Sequence, residues 1–128
     1  MSVDLDSLPV TLTDIERAAE LLEGVIERTP VAHSRALSQR LGSEVFFKCE
    51  NLQRAGSFKV RGAYVRMAKL SDEEKKRGVV AASAGNHAQG VALAADRLGI
   101  KARLYLPLGA ALPKINATRA HGSAVYPH

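Results

Sequence analysis

Three short apolar runs recur at a spacing of about 22 residues in the second half of this chain. They lie at residues 78–83 (GVVAAS), 102–107 (ARLYLP) and 123–127 (SAVYP). Helical patterns separate them at residues 86–99 and 112–122, and each pattern ends in a glycine that suits a helix C-terminus. This β-α-β-α-β order predicts right-handed crossovers and an α/β fold with an open parallel sheet and flanking helices.

The first half of the chain carries helix patterns and one strand pattern. A helix is predicted to begin near Thr13, which has Glu16 three residues later as a capping-box partner. A shorter helix is predicted over residues 34–42, and adjacent apolar residues predict a strand within residues 44–50. A further helix is predicted over residues 57–70.

These patterns divide the chain into a helical lead-in, residues 1–45, and a β-α-β-α-β part, residues 46–128. A parallel sheet normally has both faces covered, so a last strand at residues 123–127 should be followed by another crossover or a capping element. We therefore interpret the sequence as the N-terminal part of a longer domain, a fragment.

Composition and charge disfavour several classes of function. No window approaches the ~18 consecutive apolar residues of a membrane span, and the start of the chain does not resemble a signal peptide. The single cysteine, Cys49, and the spacing of the histidines do not form a metal site. The net charge of +5 is spread along the chain, and only 5% of the residues are aromatic. We expect a cytoplasmic protein that holds no metal and binds neither membrane nor nucleic acid.

The loop at residues 82–90 (ASAGNHAQG) is the first candidate site, because open parallel sheets bind ligands beyond the carboxyl ends of their strands. Ser83 is placed to cap the following helix, and Gly85 lets the backbone approach a ligand closely. Free N–H groups at the helix start favour a carboxylate or a phosphate. Asn86 and His87 add two polar side chains on one turn, which is more than a cap needs. A helix start without any ligand is the alternative.

Lys59 is the second candidate, because it follows Gly-Ser-Phe at a predicted helix start. Most lysines at such positions are solvated, and the helix dipole disfavours an ammonium group there. This unfavourable effect of the dipole on the ammonium group, together with burial beside Phe58, would favour the free amine that a lysine nucleophile needs near neutral pH. The residues alone leave open a surface lysine or a nucleophile that works beside an anion cradle.

Two stretches, residues 50–64 (ENLQRAGSFKVRGAY) and 83–95 (SAGNHAQGVALAA), closely resemble the threonine ammonia-lyase (threonine dehydratase) group of enzymes with the tryptophan synthase β-like fold. The likeness extends over residues 28–38 and 102–125. It implies fold type II, pyridoxal 5'-phosphate as cofactor, and elimination of the β-hydroxyl of L-threonine to give 2-oxobutanoate and ammonia. That reaction serves isoleucine biosynthesis or threonine catabolism.

The resemblance also implies roles for individual residues. Lys59 would be the Schiff-base lysine and general base, Phe58 would pack beside the cofactor ring, and Asn86 would hydrogen-bond the phenolic oxygen of the ring. The backbone of one loop would hold the substrate carboxylate; its members are Ser83, Ala84, Gly85, Asn86 and His87. The family implies an amino-acid substrate and a homo-oligomer of the full-length enzyme.

Ala84 bears on which reaction of the family, elimination or racemisation, is expected. Racemase members carry a serine at this position, whose hydroxyl can return a proton to Cα, whereas a methyl group cannot exchange protons. Elimination is therefore favoured over racemisation, with serine racemase/dehydratase as the related alternative.

Two departures from the family pattern concern the cofactor site. Ala55 stands where many members have threonine, and none of the ten glycines is adjacent to another, so the sequence holds no Gly-Gly phosphate loop. A non-catalytic truncated α/β module is therefore an alternative to an enzyme. A plain nucleotide-binding domain is disfavoured, because no phosphate-loop or dinucleotide fingerprint follows any predicted strand.

Overall fold

The computed structural model of the chain describes residues 9–83, 85–108, 115–116, 119–120 and 122–127. The helices and strands, in chain order, are α1 Leu12–Leu21, β1 Val31–His33, α2 Arg35–Leu41, β2 Phe46–Lys48, a 3-10 turn at Glu50–Leu52, α3 Lys59–Ala68, α4 Asp72–Arg77, β3 Val79–Ala82, α5 Asn86–Leu98, β4 Ala102–Leu106 and β5 Ala124–Pro127.

Strands β3, β4 and β5 form a parallel sheet in that order. Val79 pairs with Ala102 and Arg103 pairs with Ala124, so each crossover brings the chain back beside the preceding strand. The predicted α/β fold with a parallel sheet is therefore confirmed. Most of the helix predicted at residues 112–122 lies outside the described residues.

Helix α5 forms the centre of the core, between α3 and one face of the sheet. Small side chains make this close packing possible: Ala92 and Ala94 are fully buried, as is Leu104 of β4 on the sheet. The opposite face of the sheet is exposed, and Tyr105 and Tyr126 stack there with ring centroids 5.3 Å apart. The parallel sheet is thus covered on one side within the described residues.

Strand β1 was not predicted. It pairs antiparallel with β2, with Val31 opposite Lys48 and His33 opposite Phe46. Three residues are too few to show an alternating pattern, so this strand is defined by its partner. The pairing crosses the division proposed between residues 45 and 46, and that division remains a prediction.

The N-cap residue of α1 is Thr11, two residues earlier than the predicted Thr13. The Thr11 hydroxyl accepts a hydrogen bond from the Asp14 amide at 3.2 Å, and the Asp14 carboxylate accepts one from the Thr11 amide at 3.0 Å. The prediction of Thr13 with Glu16 was wrong because the stretch TLTDIE contains two overlapping capping boxes.

The shorter helix is confirmed as α2, with Ser34 and Gly42 as its caps. No helix among the described residues is long and apolar enough to cross a membrane.

Candidate active site

Lys59 is the first residue of α3, as predicted, but its side chain is exposed. Its Nζ lies 5.1 Å from the centroid of the Phe58 ring, and the Phe58 side chain is 58% exposed. The expectation that Lys59 is buried beside Phe58 was therefore wrong. Phe58 gives Lys59 no cover, because it follows the buried residues Gln53, Ala55 and Ser57 and lies on the outer side of this loop.

The carboxylate of Glu50, in the 3-10 turn that precedes α3, contacts the first turn of this helix through Arg61. Glu50 accepts hydrogen bonds from Nε and Nη2 of Arg61, both at 2.8 Å, and from the Thr29 hydroxyl at 2.5 Å. The hydrogen bonds from Arg61 do most to lower the pKa of Glu50 to about 2, against the opposing effect of burial. The Thr29 bond, the charge of Arg61 and a bond from Gln53 lower it further, in that order. The same pair raises the pKa of Arg61. Glu50 is thus an ionised, paired carboxylate.

The buried side chain of Gln53 fixes the loop that leads to Lys59. Its Oε1 accepts a hydrogen bond from the Glu27 amide at 2.8 Å, and its Nε2 donates to the Glu27 carbonyl at 2.9 Å. Arg54 adds an ion pair to the Glu27 carboxylate at 2.6 Å. The loop is therefore tied to the segment before β1 through both backbone and side chains.

Helix α5 begins at Asn86, directly after the loop that follows β3. Ser83 does not cap this helix as predicted, because its hydroxyl accepts a hydrogen bond from the Gly85 amide at 3.2 Å. Gly85 is the N-cap residue, and the Ala88 amide donates to the Gly85 carbonyl. Helix geometry leaves the N–H groups of Asn86 and His87 without intrahelical acceptors. Ala84 lies outside the described residues.

Gly90 brings the two candidate motifs together. A Cβ at this position would lie 3.0 Å from the carbonyl carbon of Lys59 and 3.0 Å from the amide nitrogen of Val60. Helix α5 can therefore approach the first turn of α3 closely only because residue 90 lacks a side chain. Asn86 is one turn earlier on the same face of α5, on the side of Lys59.

Sequence reasoning placed Gly90 in the motif but missed this contact. A glycine inside a helix pattern often has a packing reason, which was the available signal. The signal does not identify the partner, because Lys59 lies 31 positions earlier in the chain. No group of His, Cys, Asp and Glu in the described part of the chain could hold a metal ion.

Comparison with known proteins identifies the family. The model of a family described as pyridoxal-phosphate dependent enzyme matches residues 22–128. The chain belongs to this family. The prediction of a family that depends on pyridoxal 5'-phosphate is thereby confirmed.

The chain is 56% identical to an L-threonine ammonia-lyase of Thermotoga maritima over 116 residues, which are 91% of this chain and 29% of the relative. It is 51% identical to an L-threo-3-hydroxyaspartate ammonia-lyase of a Pseudomonas species over 112 residues, 88% of this chain and 35% of that protein. Among solved structures, it resembles the serine racemase of Dictyostelium discoideum with a TM-score of 0.84 at 40% identity. That match covers 92% of this chain and 39% of the racemase. The chain therefore spans about a third of the length of these family members.

The residues present fit the cofactor of the family. Lys59 offers an accessible amine, and the exposed ring of Phe58 offers an apolar face beside it. The first-turn amides of α5 are suited to a carboxylate, and the exposed Asn86 amide can hydrogen-bond a ring oxygen. An amine, an aromatic face and the free amides of a helix start thus lie around the contact between Lys59 and Gly90.

Proposed function

We propose that this chain is the lysine-bearing part of a pyridoxal-phosphate dependent ammonia-lyase that removes the β-hydroxyl of L-threonine or a related hydroxy amino acid. The observation that carries the proposal is the contact of Gly90 with the backbone of Lys59, because it joins an accessible amine to an anion-binding helix start. The lyase relatives, at 51% and 56% identity, support the choice of reaction. For L-threonine the products would be 2-oxobutanoate and ammonia.

Each residue of the proposed site has a separate task. The bound cofactor supplies an electron sink for the charge that develops at the substrate Cα. Lys59 would hold the cofactor covalently and, once its amine is free, would take the proton from Cα. Phe58 would pack beside the cofactor ring, and Asn86 would hydrogen-bond the ring oxygen. The backbone of residues 83–87 would orient the substrate carboxylate.

Racemisation is the second candidate, because the matched serine racemase has a TM-score of 0.84. A racemase must return a proton to the face of Cα opposite the lysine, and the methyl group of Ala84 cannot do this. Elimination is therefore the favoured reaction. A cytoplasmic location, a homo-oligomer, and a role in isoleucine biosynthesis or threonine catabolism are further predictions of this proposal.

Cofactor trapping tests the proposal without requiring turnover, which suits a chain that spans about a third of its relatives. Pyridoxal phosphate is added, the adduct is reduced with borohydride, and labelled lysines are located by peptide mass spectrometry. We expect labelling concentrated at Lys59 and abolished in Lys59→Ala. Lys69→Ala, at the opposite end of α3, is the matched control and should leave the labelling of Lys59 unchanged. Labelling scattered over many lysines, or none at all, would refute the proposed site.

A further inference from the structure

We infer that Glu50 is a positioning residue for Lys59, because its paired hydrogen bonds to Arg61 hold the first turn of α3 against the loop that precedes it. This inference rests on the proposed function of Lys59. Arg61 is two residues after Lys59, in the same turn, so an anchor on Arg61 restrains the backbone that carries the amine. Two parallel N–H···O bonds at 2.8 Å fix the direction of the guanidinium group as well as its distance.

The start of α3 depends on such an anchor. Phe58 is its N-cap residue and makes no side-chain capping bond within the described structure. The Lys59 amide lies 3.4 Å from the Ser57 hydroxyl, a long hydrogen bond. Gly90 contacts this turn from the side of α5, and the pair of Glu50 with Arg61 ties it to the 3-10 turn. The position of Lys59 is thus defined by residues of other elements.

Thr29 extends the anchor to a third segment. Its hydroxyl donates to Oε1 of Glu50, and its backbone carbonyl accepts a hydrogen bond from Nζ of Lys48 at the end of β2. Thr29 is buried and the Glu50 side chain is 14% exposed, so water competes little for these bonds. The carboxylate therefore links α3, the 3-10 turn and the segment before β1.

An exposed ion pair elsewhere in the chain provides the matched control. Glu73 and Lys76 of α4 form a pair at 3.0 Å, with side chains 79% and 73% exposed. Glu50→Gln and Glu73→Gln make the same chemical change, the loss of one carboxylate charge with the shape retained. Exposed pairs of this kind contribute little to stability, so only Glu50→Gln should affect Lys59.

The experiment measures the reactivity of the Lys59 amine and the local order of the first turn of α3. Borohydride trapping of pyridoxal phosphate gives the rate at Lys59, with Lys69 as internal reference. Amide hydrogen exchange over residues 60–63 reports the order of the turn without any cofactor. For Glu50→Gln we expect trapping at Lys59 to slow by about tenfold and exchange in this turn to accelerate, while exchange in α5 is unchanged. Glu73→Gln should match the unchanged chain in both measurements.

The outcomes separate a positioning role from general stabilisation. Equal acceleration of exchange in all helices of Glu50→Gln would overturn the inference, as would unchanged exchange in the first turn of α3. If the unchanged chain shows no labelling of Lys59, the proposed function fails. The inference is then judged by exchange and by trace acetylation of the Lys59 amine.

A second variant covers the case in which Glu50→Gln does not fold. Thr29→Val removes one hydrogen-bond donor to Glu50 and keeps the ion pair to Arg61. It should accelerate exchange in the first turn of α3 in the same direction and to a smaller extent. Unchanged exchange in this variant would overturn the inference.

Discussion

Helices α4 and α3 start in opposite ways. At α4, the Ser71 hydroxyl accepts a hydrogen bond from the Glu74 amide at 3.2 Å, and the Glu74 carboxylate accepts one from the Ser71 amide at 2.8 Å. Acidic residues occupy the first turn of α4 and basic residues its last turn, as the helix dipole favours. At α3, the N-cap residue is Phe58 and the first helical residue is the cation Lys59.

The difference shows that the start of α3 lacks the capping bonds and the favourable charges that stabilise the start of α4. Helix α4 is specified by its own six residues and their immediate neighbours in sequence. The start of α3 is held by Glu50 and Gly90, which lie in other elements. Departures from local preference concentrate at functional sites, where other parts of the structure must compensate. The unfavourable helix start that carries Lys59 is a departure from local preference, as the proposed function of Lys59 predicts.

The largest expected effect comes from filling the space at Gly90. In Gly90→Ala, the new methyl group would lie 3.0 Å from the backbone of Lys59 and Val60, so this backbone must shift by a few tenths of an ångström. We expect a loss of about 2 kcal/mol in the free energy of unfolding, even though alanine is intrinsically better in a helix by about 1 kcal/mol. Urea unfolding followed by circular dichroism measures the change.

Gly62→Ala is the matched control for this prediction. Gly62 lies within α3, and apart from the adjoining residues and backbone of its own helix, no described atom lies within 4 Å of the position that a Cβ would take. This variant should be as stable as the unchanged chain or more stable by up to about 1 kcal/mol. Equal effects of the two substitutions would show that the contact between α5 and Lys59 is not tight.

Acid should weaken the anchor of α3 more than the start of α4. The pKa of Glu50 is lowered from 4.5 to about 2 in the folded chain, so its contribution is complete above pH 4.5 and is lost as the pH falls through 2. Between pH 6 and pH 3 the unchanged chain should lose of order 2 kcal/mol more stability than Glu50→Gln. Urea unfolding at both pH values measures this difference.

Glu74→Gln measures how much acid weakens the start of α4, for comparison with Glu50→Gln at α3. Hydrogen bonds with Ser71 lower the pKa of Glu74, so its contribution to stability also falls in acid. Glu74 is more open to water than Glu50, and we expect a smaller acid effect from it. An acid effect of Glu74 that equals or exceeds that of Glu50 would contradict the ranking of the two carboxylates.

The elements that carry a local signal could be predicted from the sequence, whereas the contacts between elements could not. Helix α5 and the strands on either side of it carry local signals, an apolar run or a glycine cap, and these predictions were confirmed. The approach of Gly90 to Lys59 and the pairing of Glu50 with Arg61 join residues far apart or in different elements, so no local pattern specifies them. The expected burial of Lys59 failed for the same reason, because the direction of Phe58 is set by the packing of the loop before it.

The smallest expected effects come from changing the two N-cap residues. Ser71→Ala removes the hydroxyl that accepts the Glu74 amide and should lower the free energy of unfolding by about 1 kcal/mol. Phe58→Ser introduces a capping side chain at α3, yet we expect a change of less than about 0.5 kcal/mol. The backbone at Phe58 is helical, with φ −66° and ψ −11°, whereas capping requires the extended backbone seen at Ser71. A gain of about 1 kcal/mol in Phe58→Ser would mean that local capping, and not Glu50 and Gly90, limits the stability of this helix start.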